Sequence, residues 1–145
     1  MERNTPDFNI DSAENQAYNK KQQKQKQVLS NKAHGDAFEN EMYPQFQAEY
    51  YFTERQITIV MSSGTRIRVD AIGLDVDGNV IIMEYKSSAT AQLTKNQKAA
   101  FEEFRDSGGY VVGKGKGFFY GGTDIPSMSK GTKIIIQRPG QQEVW

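Results

Sequence analysis

Three charged residues lie close together on two neighbouring apolar segments of the sequence. Asp70 belongs to "TRIRVDAIGLD", and Glu84 and Lys86 belong to "NVIIMEYK". Both segments have the apolar pattern of β-strands. Two carboxylates on adjacent strands repel each other, and a divalent cation bound between them converts that repulsion into binding. Since a lysine one pleat further on can hold and polarise a water molecule, the set would suit metal-assisted attack of water on a phosphodiester.

The turn between the two strands decides whether the carboxylates meet. A two-residue loop of Asp77 and Gly78 would place Asp70 opposite Tyr85, with the two acids on opposite faces. A three-residue loop with Gly78 in the left-handed conformation would place Asp70 opposite Glu84 instead. A salt bridge across the two strands on a solvated face is the alternative to a metal site.

Glu39 is a third candidate carboxylate and lies on a predicted helix, "KAHGDAFENEMYPQF". Together with Gly35, Met42 and Phe46 it forms one helical face, which is otherwise apolar or small. Glu39 therefore either lies at the edge of that face or points to the sheet. We expect Pro44 to kink or end this helix near Met42.

A second helix is predicted over "LTKNQKAAFEEFRDSGG". Thr94 and Gln97 match the S/T-x-x-E/Q capping box, and Gly108-Gly109 is a stop signal. Gln97 shares a helical face with Phe101 and Phe104, so it either reaches the carboxylates or serves only as a cap.

Composition limits the classes of site. Cysteine is absent and His34 is the only histidine, so a metal site must use mainly carboxylates, which favours Mg²⁺ or Mn²⁺ over a zinc cage. The net charge is zero, but residues 33–107 carry twelve acids and seven bases, whereas both flanking parts are basic. The sequence has no apolar run of membrane-spanning length.

The order of elements predicts the fold class. Residues 1–32 are polar and rich in Lys and Gln, which predicts a leader, a linker or a solvated helix, and residues 33–145 form the domain. "RQITIVMS" precedes the two strands above as a first strand, with Ile67, Val69 and Ala71 expected on one face of the second. The second helix is followed by the short strand "YVVG" and the late strand "TKIIIQ". This order predicts an α/β (α+β) fold: helix, three-stranded meander, helix and strand, in a mixed sheet flanked by helices.

These residues resemble a known signature. "VD" at Val69-Asp70 followed by "EYK" at Glu84–Lys86 is similar to the motif of the PD-(D/E)xK nuclease superfamily, with Val69 in place of the proline. The superfamily has a restriction-endonuclease-like α-β-β-β-α-β core. "GDAFE" and "QKAAF" resemble its elements that supply a helical glutamate and a glutamine. Over residues 84–113 the chain resembles the C-terminal nuclease toxin domains of contact-dependent growth inhibition and other polymorphic toxin systems of bacteria.

The resemblance implies roles for individual residues. Asp70 and Glu84 would be metal ligands, with the backbone carbonyl of Tyr85 as a third. Lys86 would position the attacking water, and the cofactor would be Mg²⁺, with Mn²⁺ or Zn²⁺ as alternatives. The auxiliary residues would be Glu39 at the metal or its water, Gln97 at the site or the phosphate, and Ser88 as a weaker phosphate contact.

The resemblance also implies a biological setting. The chain would be the tip of a larger secreted or surface-delivered protein, cutting DNA in the cytoplasm of a target bacterium as a monomer or bound to its immunity protein. Transfer RNA is the alternative substrate, and a non-catalytic nucleic-acid- or protein-binding module is the alternative function.

Three basic residues are weaker candidates for nucleic-acid binding. Lys114 and Lys116 lie in "GKGKG", which lacks the arrangement of a P-loop and also suits a plain hairpin. His34 either contributes to the site or is a surface or capping residue near the helix start.

Overall fold

The computed structural model describes residues 13–145, in which two α-helices and a seven-stranded mixed sheet are the main elements. The chain divides into two compact units, with the boundary between Asp36 and Ala37. Neither of the two described helices combines the length and the apolar character that crossing a membrane requires. In chain order, the elements are α1 (Ala13–Glu49), β1 (Tyr51–Val60), β2 (Arg66–Leu74), β3 (Val80–Tyr85), α2 (Lys95–Ser107), β4 (Gly109–Val111), β5 (Gly115–Lys116), β6 (Phe119–Tyr120), β7 (Asp124–Ile125), a 3₁₀ turn (Met128–Lys130), β8 (Lys133–Arg138) and β9 (Gln141–Val144).

Helix α1 continues past Pro44 to Glu49, so of the two expected effects of Pro44, a kink or an end of the helix, the end near Met42 is wrong. Proline removes one backbone N–H and crowds the preceding turn. However, Phe46, which follows Pro44, is buried in the core, and Met42 and Tyr43, which precede it, pack against the same cluster. Because packing of one face supplies most of the stability of a helix in a protein, this burial offsets the lost bond.

The sheet has the order β7-β4-β1-β2-β3-β8-β9. Strands β1, β2 and β3 form the predicted antiparallel meander. Strand β8 runs parallel to β3, and α2 lies in the long connection between them. The short strand β4 pairs instead with β1, on the other side of the meander. Segment 113–120, which contains "GKGKG", forms a separate hairpin of β5 and β6.

The turn between β2 and β3 is a three-residue loop, residues 76–78, which is closed by Asp75 and Asn79. The Asp75 N–H donates to the Asn79 carbonyl at 2.9 Å, and Gly78 has a φ of 84°. Glycine is suited to that position because a side chain would strain a left-handed residue. The ladder pairs Ala71 with Met83, so the structure has the second of the two registers considered above.

The side chains of β2 change face midway along the strand. Ile67 and Val69 belong to the larger core cluster, with the phenylalanines of α2, whereas Ala71 belongs to the smaller cluster, with α1. The expectation that these three share one face is therefore wrong. At the level of Asp70 in the ladder, β1 contains Gln56 with a φ of 56°. A left-handed residue interrupts the alternation of a strand, and that interruption accompanies the change of face.

Helix α2 covers the other face of the sheet and has the predicted ends. The side chain of Thr94 accepts from the Gln97 N–H, and the Gln97 side chain accepts from the Thr94 N–H, so the capping box is confirmed. Gly108 follows the last residue, with its N–H bonded to the Phe104 carbonyl. Phe101 and Phe104 are buried against the sheet and hold the helix start beside the end of β3.

Candidate active site

Asp70 and Glu84 lie side by side on β2 and β3. The ladder pair of Ala71 and Met83, continued by one residue, places Asp70 opposite Glu84, close enough for the charge of Asp70 to raise the pKa of Glu84. The Tyr85 N–H donates to Asp70 Oδ2 at 2.8 Å, which fixes that oxygen. The two acids therefore meet as the three-residue loop predicts.

Both carboxyl groups are harder to ionise than in water. Burial, together with the negative charge of Asp70, raises the pKa of Glu84 to about 8, against the lowering effect of Lys86. Burial also raises the pKa of Asp70, and the charge of Glu39 acts in the same direction, whereas the Tyr85 N–H lowers it. A buried carboxyl pair with this electrostatic coupling retains a proton near neutral pH, because two adjacent negative charges are costly there.

Gln97 joins the charged residues through both atoms of its amide. Its Nε2 donates to Glu84 Oε1 at 2.9 Å, and its Oε1 accepts from Lys86 Nζ at 2.8 Å. The same Oε1 accepts from the Thr94 N–H at 2.9 Å. The two interpretations of Gln97 are therefore both satisfied: it caps α2 and orients Glu84 and Lys86.

Glu39 is buried, with 8% of its surface exposed, and faces the meander from α1. Its Oε2 accepts from Arg55 Nε at 3.0 Å, from Arg55 Nη2 at 2.6 Å and from Gln56 Nε2 at 2.8 Å. Glu39 therefore lies inside the fold rather than at the edge of its helical face. Its charge reaches Asp70 and Tyr85, raising the pKa of each, but Arg55 is the partner that neutralises it.

Tyr85, at the end of β3, and Ser88, just after it, have local structural roles. The Tyr85 side chain packs edge to face against Phe38 in the smaller core cluster, while its N–H fixes Asp70 as described. Ser88 is exposed, and its hydroxyl lies 3.3 Å from the Thr90 hydroxyl and accepts from the Thr90 N–H at 3.3 Å. Ser88 thus forms a turn after β3.

The weaker basic candidates are placed differently. Lys116 Nζ donates to the Arg55 carbonyl at 2.8 Å, which attaches the β5–β6 hairpin to β1. Lys114 is exposed and precedes β5. His34 is exposed on α1, in the compact unit that ends at Asp36, whereas the carboxyl pair belongs to the other unit.

Sequence reasoning did not single out three residues that contact this region. Arg55 and Gln56 hold Glu39, and Arg138 donates from β8 to the Ala91 carbonyl in the segment that follows Lys86. Arg55 and Gln56 lie within a predicted strand, where nothing in the letters indicates a left-handed residue. For Arg138 the sequence carries one signal, an arginine at the end of the apolar run "IIIQR", and the structure shows that this arginine is buried.

The carboxyl pair suits a hard divalent cation. In residues 13–145 no cluster of three or more His, Cys, Asp or Glu side chains has the arrangement of a metal site, so the donors here would be Asp70, Glu84 and backbone. Magnesium is usually held by one or two carboxylates, together with water and substrate phosphates. The donor set of two carboxylates and backbone oxygen fits that pattern.

Comparisons with protein-family models, with curated proteins and with solved structures found no match to this chain.

Proposed function

We propose that this protein is a metal-dependent nuclease of the PD-(D/E)xK type, which hydrolyses phosphodiester bonds. The observation that supports the proposal best is the arrangement of Asp70, Glu84 and Lys86, with Gln97 joining the last two. A salt bridge on a solvated face, the alternative for the same residues, does not account for a Glu84 that is only 5% exposed.

Asp70 and Glu84 would hold the cation, with the Tyr85 carbonyl as an additional oxygen donor. When bound, a divalent cation supplies charge neutralisation at the phosphate and an acidified water. The Tyr85 N–H keeps Asp70 in place, and the Gln97 amide keeps Glu84 in place. Both acids must be ionised to act as ligands, so cation binding releases the proton that the pair holds.

Lys86 and Gln97 would act on the attacking water and the phosphate. Lys86 Nζ has three N–H donors, of which one is used by Gln97, so others remain for a water or a phosphate oxygen. Gln97 restricts the position of the lysine, and the capping box in turn restricts Gln97. Such positioning lowers the entropic part of the barrier to hydrolysis.

DNA is the substrate that we propose first, and transfer RNA is the alternative. The resemblance of residues 84–113 to bacterial toxin domains supports an action in interbacterial competition, with a dedicated immunity protein as partner. Such a partner would neutralise the activity by covering the carboxyl pair or by blocking the approach of nucleic acid to it.

Cleavage assays with a matched pair of variants test the proposal. Plasmid DNA and total RNA are each incubated with Mg²⁺, Mn²⁺, Zn²⁺ or EDTA. Glu84→Gln removes the central ligand, and Glu102→Gln changes an exposed acid of α2 as the control. We expect the unaltered protein and the control to cleave DNA with Mg²⁺, whereas EDTA or Glu84→Gln abolishes cleavage.

The outcomes separate the alternatives. Cleavage that ignores EDTA, or that persists in Glu84→Gln, would refute the metal site. Cleavage of RNA alone would select the transfer-RNA alternative. Binding of nucleic acid without cleavage under any metal would favour the non-catalytic module.

A further inference from the structure

A pocket of about 290 Å³ is lined by residues that have no role in the chemistry proposed above. It is formed by the segment after β3, the start of α2, β8 and the end of the chain. The residues that line it include Leu93, Lys98, Ile136, Arg138, Glu143 and Trp145. We call it the Trp145 pocket.

The register of the parallel strands places this pocket beside the site. Ile136 of β8 is the ladder partner of Glu84. The Lys86 N–H donates to the Gln137 carbonyl, so Arg138 comes next along β8 at the level of Lys86. Lys98 directly follows Gln97 on α2. Residues that line the pocket are therefore ladder or sequence neighbours of Glu84, Lys86 and Gln97.

Arg138 is the unusual residue of the pocket because it is charged and only 5% exposed. Its Nε donates to the Ala91 carbonyl at 2.9 Å, and its Nη1 donates to Glu143 at 2.6 Å. A guanidinium has five N–H donors. Within the described chain these bonds use two of them, so Arg138 retains donors for a ligand, while Glu143, which also lines the pocket, balances its charge.

Trp145 adds a flat aromatic surface. Phe101 contacts its ring edge on, at 5.7 Å between centroids, and the Arg105 guanidinium lies 5.7 Å from the ring centroid. The backbone N–H of Trp145 donates to the Ile134 carbonyl at 2.9 Å, so the residue is held against β8. Aromatic rings held in this way are the platforms on which unpaired nucleobases stack.

We propose that the Trp145 pocket receives one unstacked nucleotide next to the phosphate that is cleaved. The base lies against Trp145, and Arg138 and Lys98 donate to its oxygens or its phosphate. At about 290 Å³ the pocket is at the lower end of the range for small-molecule sites, about 300–1,000 Å³, which suits a single nucleotide. The inference rests on the proposed nuclease function and concerns the unpaired segments of its substrate, such as a loop, an end or a locally unpaired stretch of DNA.

Tryptophan fluorescence tests the pocket directly, since Trp145 is the only tryptophan in the chain. Glu84→Gln protein in EDTA, which cannot cleave, is titrated with a single-stranded oligonucleotide and with a duplex of the same sequence. We expect the single strand to quench Trp145 and to bind at least about tenfold more tightly than the duplex, which corresponds to about 1.4 kcal/mol.

Two second-site variants and a control identify the residues responsible. Lys98→Met and Arg138→Met should each weaken the quenching titration by about tenfold or more, since each removes a charged donor. Lys95→Met removes an exposed lysine of the same helix that does not line the pocket, and it should leave the titration unchanged. Because Arg138 is buried, Lys98→Met provides the test if the Arg138 variant does not fold.

The results also separate this inference from the nuclease proposal. Equal affinity for duplex and single strand, absence of quenching, or unchanged titrations in Lys98→Met would overturn the pocket assignment even if the unaltered protein cleaves with Mg²⁺. Quenching that Lys98→Met weakens, together with an unaltered protein that cleaves no nucleic acid with any metal, would support the pocket and overturn the nuclease proposal.

Discussion

Replacing Glu84 by glutamine should stabilise the metal-free protein at alkaline pH. The folded protein holds a proton on Glu84 up to a pKa of about 8, against an ordinary value of 4.5, so the folded state binds more protons than the unfolded chain between these two pH values. Stability therefore falls as pH rises from about 4.5 to about 8. Glutamine resembles the protonated acid in shape and donors, and it has no proton to lose.

The magnitude follows from the two pKa values. They differ by about 3.5, and at about 1.36 kcal/mol for each pKa unit the loss approaches about 5 kcal/mol as an upper bound. Asp70 shares the proton with Glu84, so we expect about 2–4 kcal/mol in practice. The amide oxygen of the new side chain can still accept from Gln97, and its NH₂ can donate to Asp70, so no buried group loses its partner.

The assay is urea unfolding in EDTA at pH 5, 7 and 9, followed by the fluorescence of Trp145. The two proteins should differ by less than about 1 kcal/mol at pH 5, and the advantage of Glu84→Gln should grow to about 2–4 kcal/mol at pH 9. Glu102→Gln, at an exposed position, should differ by less than about 0.5 kcal/mol at every pH. A difference that does not change with pH, or a variant that is less stable at pH 9, would refute the raised pKa of Glu84.

Magnesium should offset most or all of the stability advantage of Glu84→Gln at pH 9. A cation that binds only the folded state raises its stability in proportion to the logarithm of concentration over the dissociation constant. The unaltered protein should gain about 2.7 kcal/mol when Mg²⁺ is present at about one hundred times that constant, whereas Glu84→Gln should gain little.

Three further predictions concern the surroundings of the site. Thr94→Ala removes the acceptor of the Gln97 N–H and should lower the free energy of unfolding by about 1 kcal/mol, measured in urea. Gln97→Glu replaces the donor to Glu84 by an acceptor, so its midpoint of thermal unfolding in EDTA should fall further below that of the unaltered protein at pH 9 than at pH 5; an equal shift at both would contradict the contact. Phe104→Ala empties a fully buried site and should cost about 3–5 kcal/mol, whereas Phe118→Ala, at an exposed ring, should cost less than about 1 kcal/mol.

Local signals predicted the parts of the site that depend on neighbouring residues. Gly78 predicted a tight turn, but it suits both loops considered, and the structure selects the three-residue loop that brings Asp70 to Glu84. Thr94 and Gln97 predicted the start of α2 correctly, because a capping box involves only four consecutive residues. The position of the turn and the start of the helix are decided by short-range geometry, for which the letters carry enough information.

Features that depend on contacts between residues far apart in the chain could not be predicted from local sequence patterns. Pro44 remains inside α1 because Phe46 packs on the sheet, a contact that no local rule contains. The left-handed conformation of Gln56 has no signal in "ERQIT", since glutamine is not a residue that favours positive φ. Arg138 lies beside the site only because β8 pairs in parallel with β3, with the whole of α2 in between.

The change of face on β2 allows residues from both sides of the sheet to influence Asp70. Glu84 and Gln97 belong to the side of α2, whereas Glu39 belongs to the side of α1. In a regular strand the Asp70 side chain would be committed to one of these sides. Because β2 changes face at this residue, Asp70 lies opposite Glu84 and also receives the electrostatic influence of Glu39. The strained Gln56 lies opposite this position and donates to Glu39, so the irregularity of β1 and the position of Asp70 belong to one arrangement.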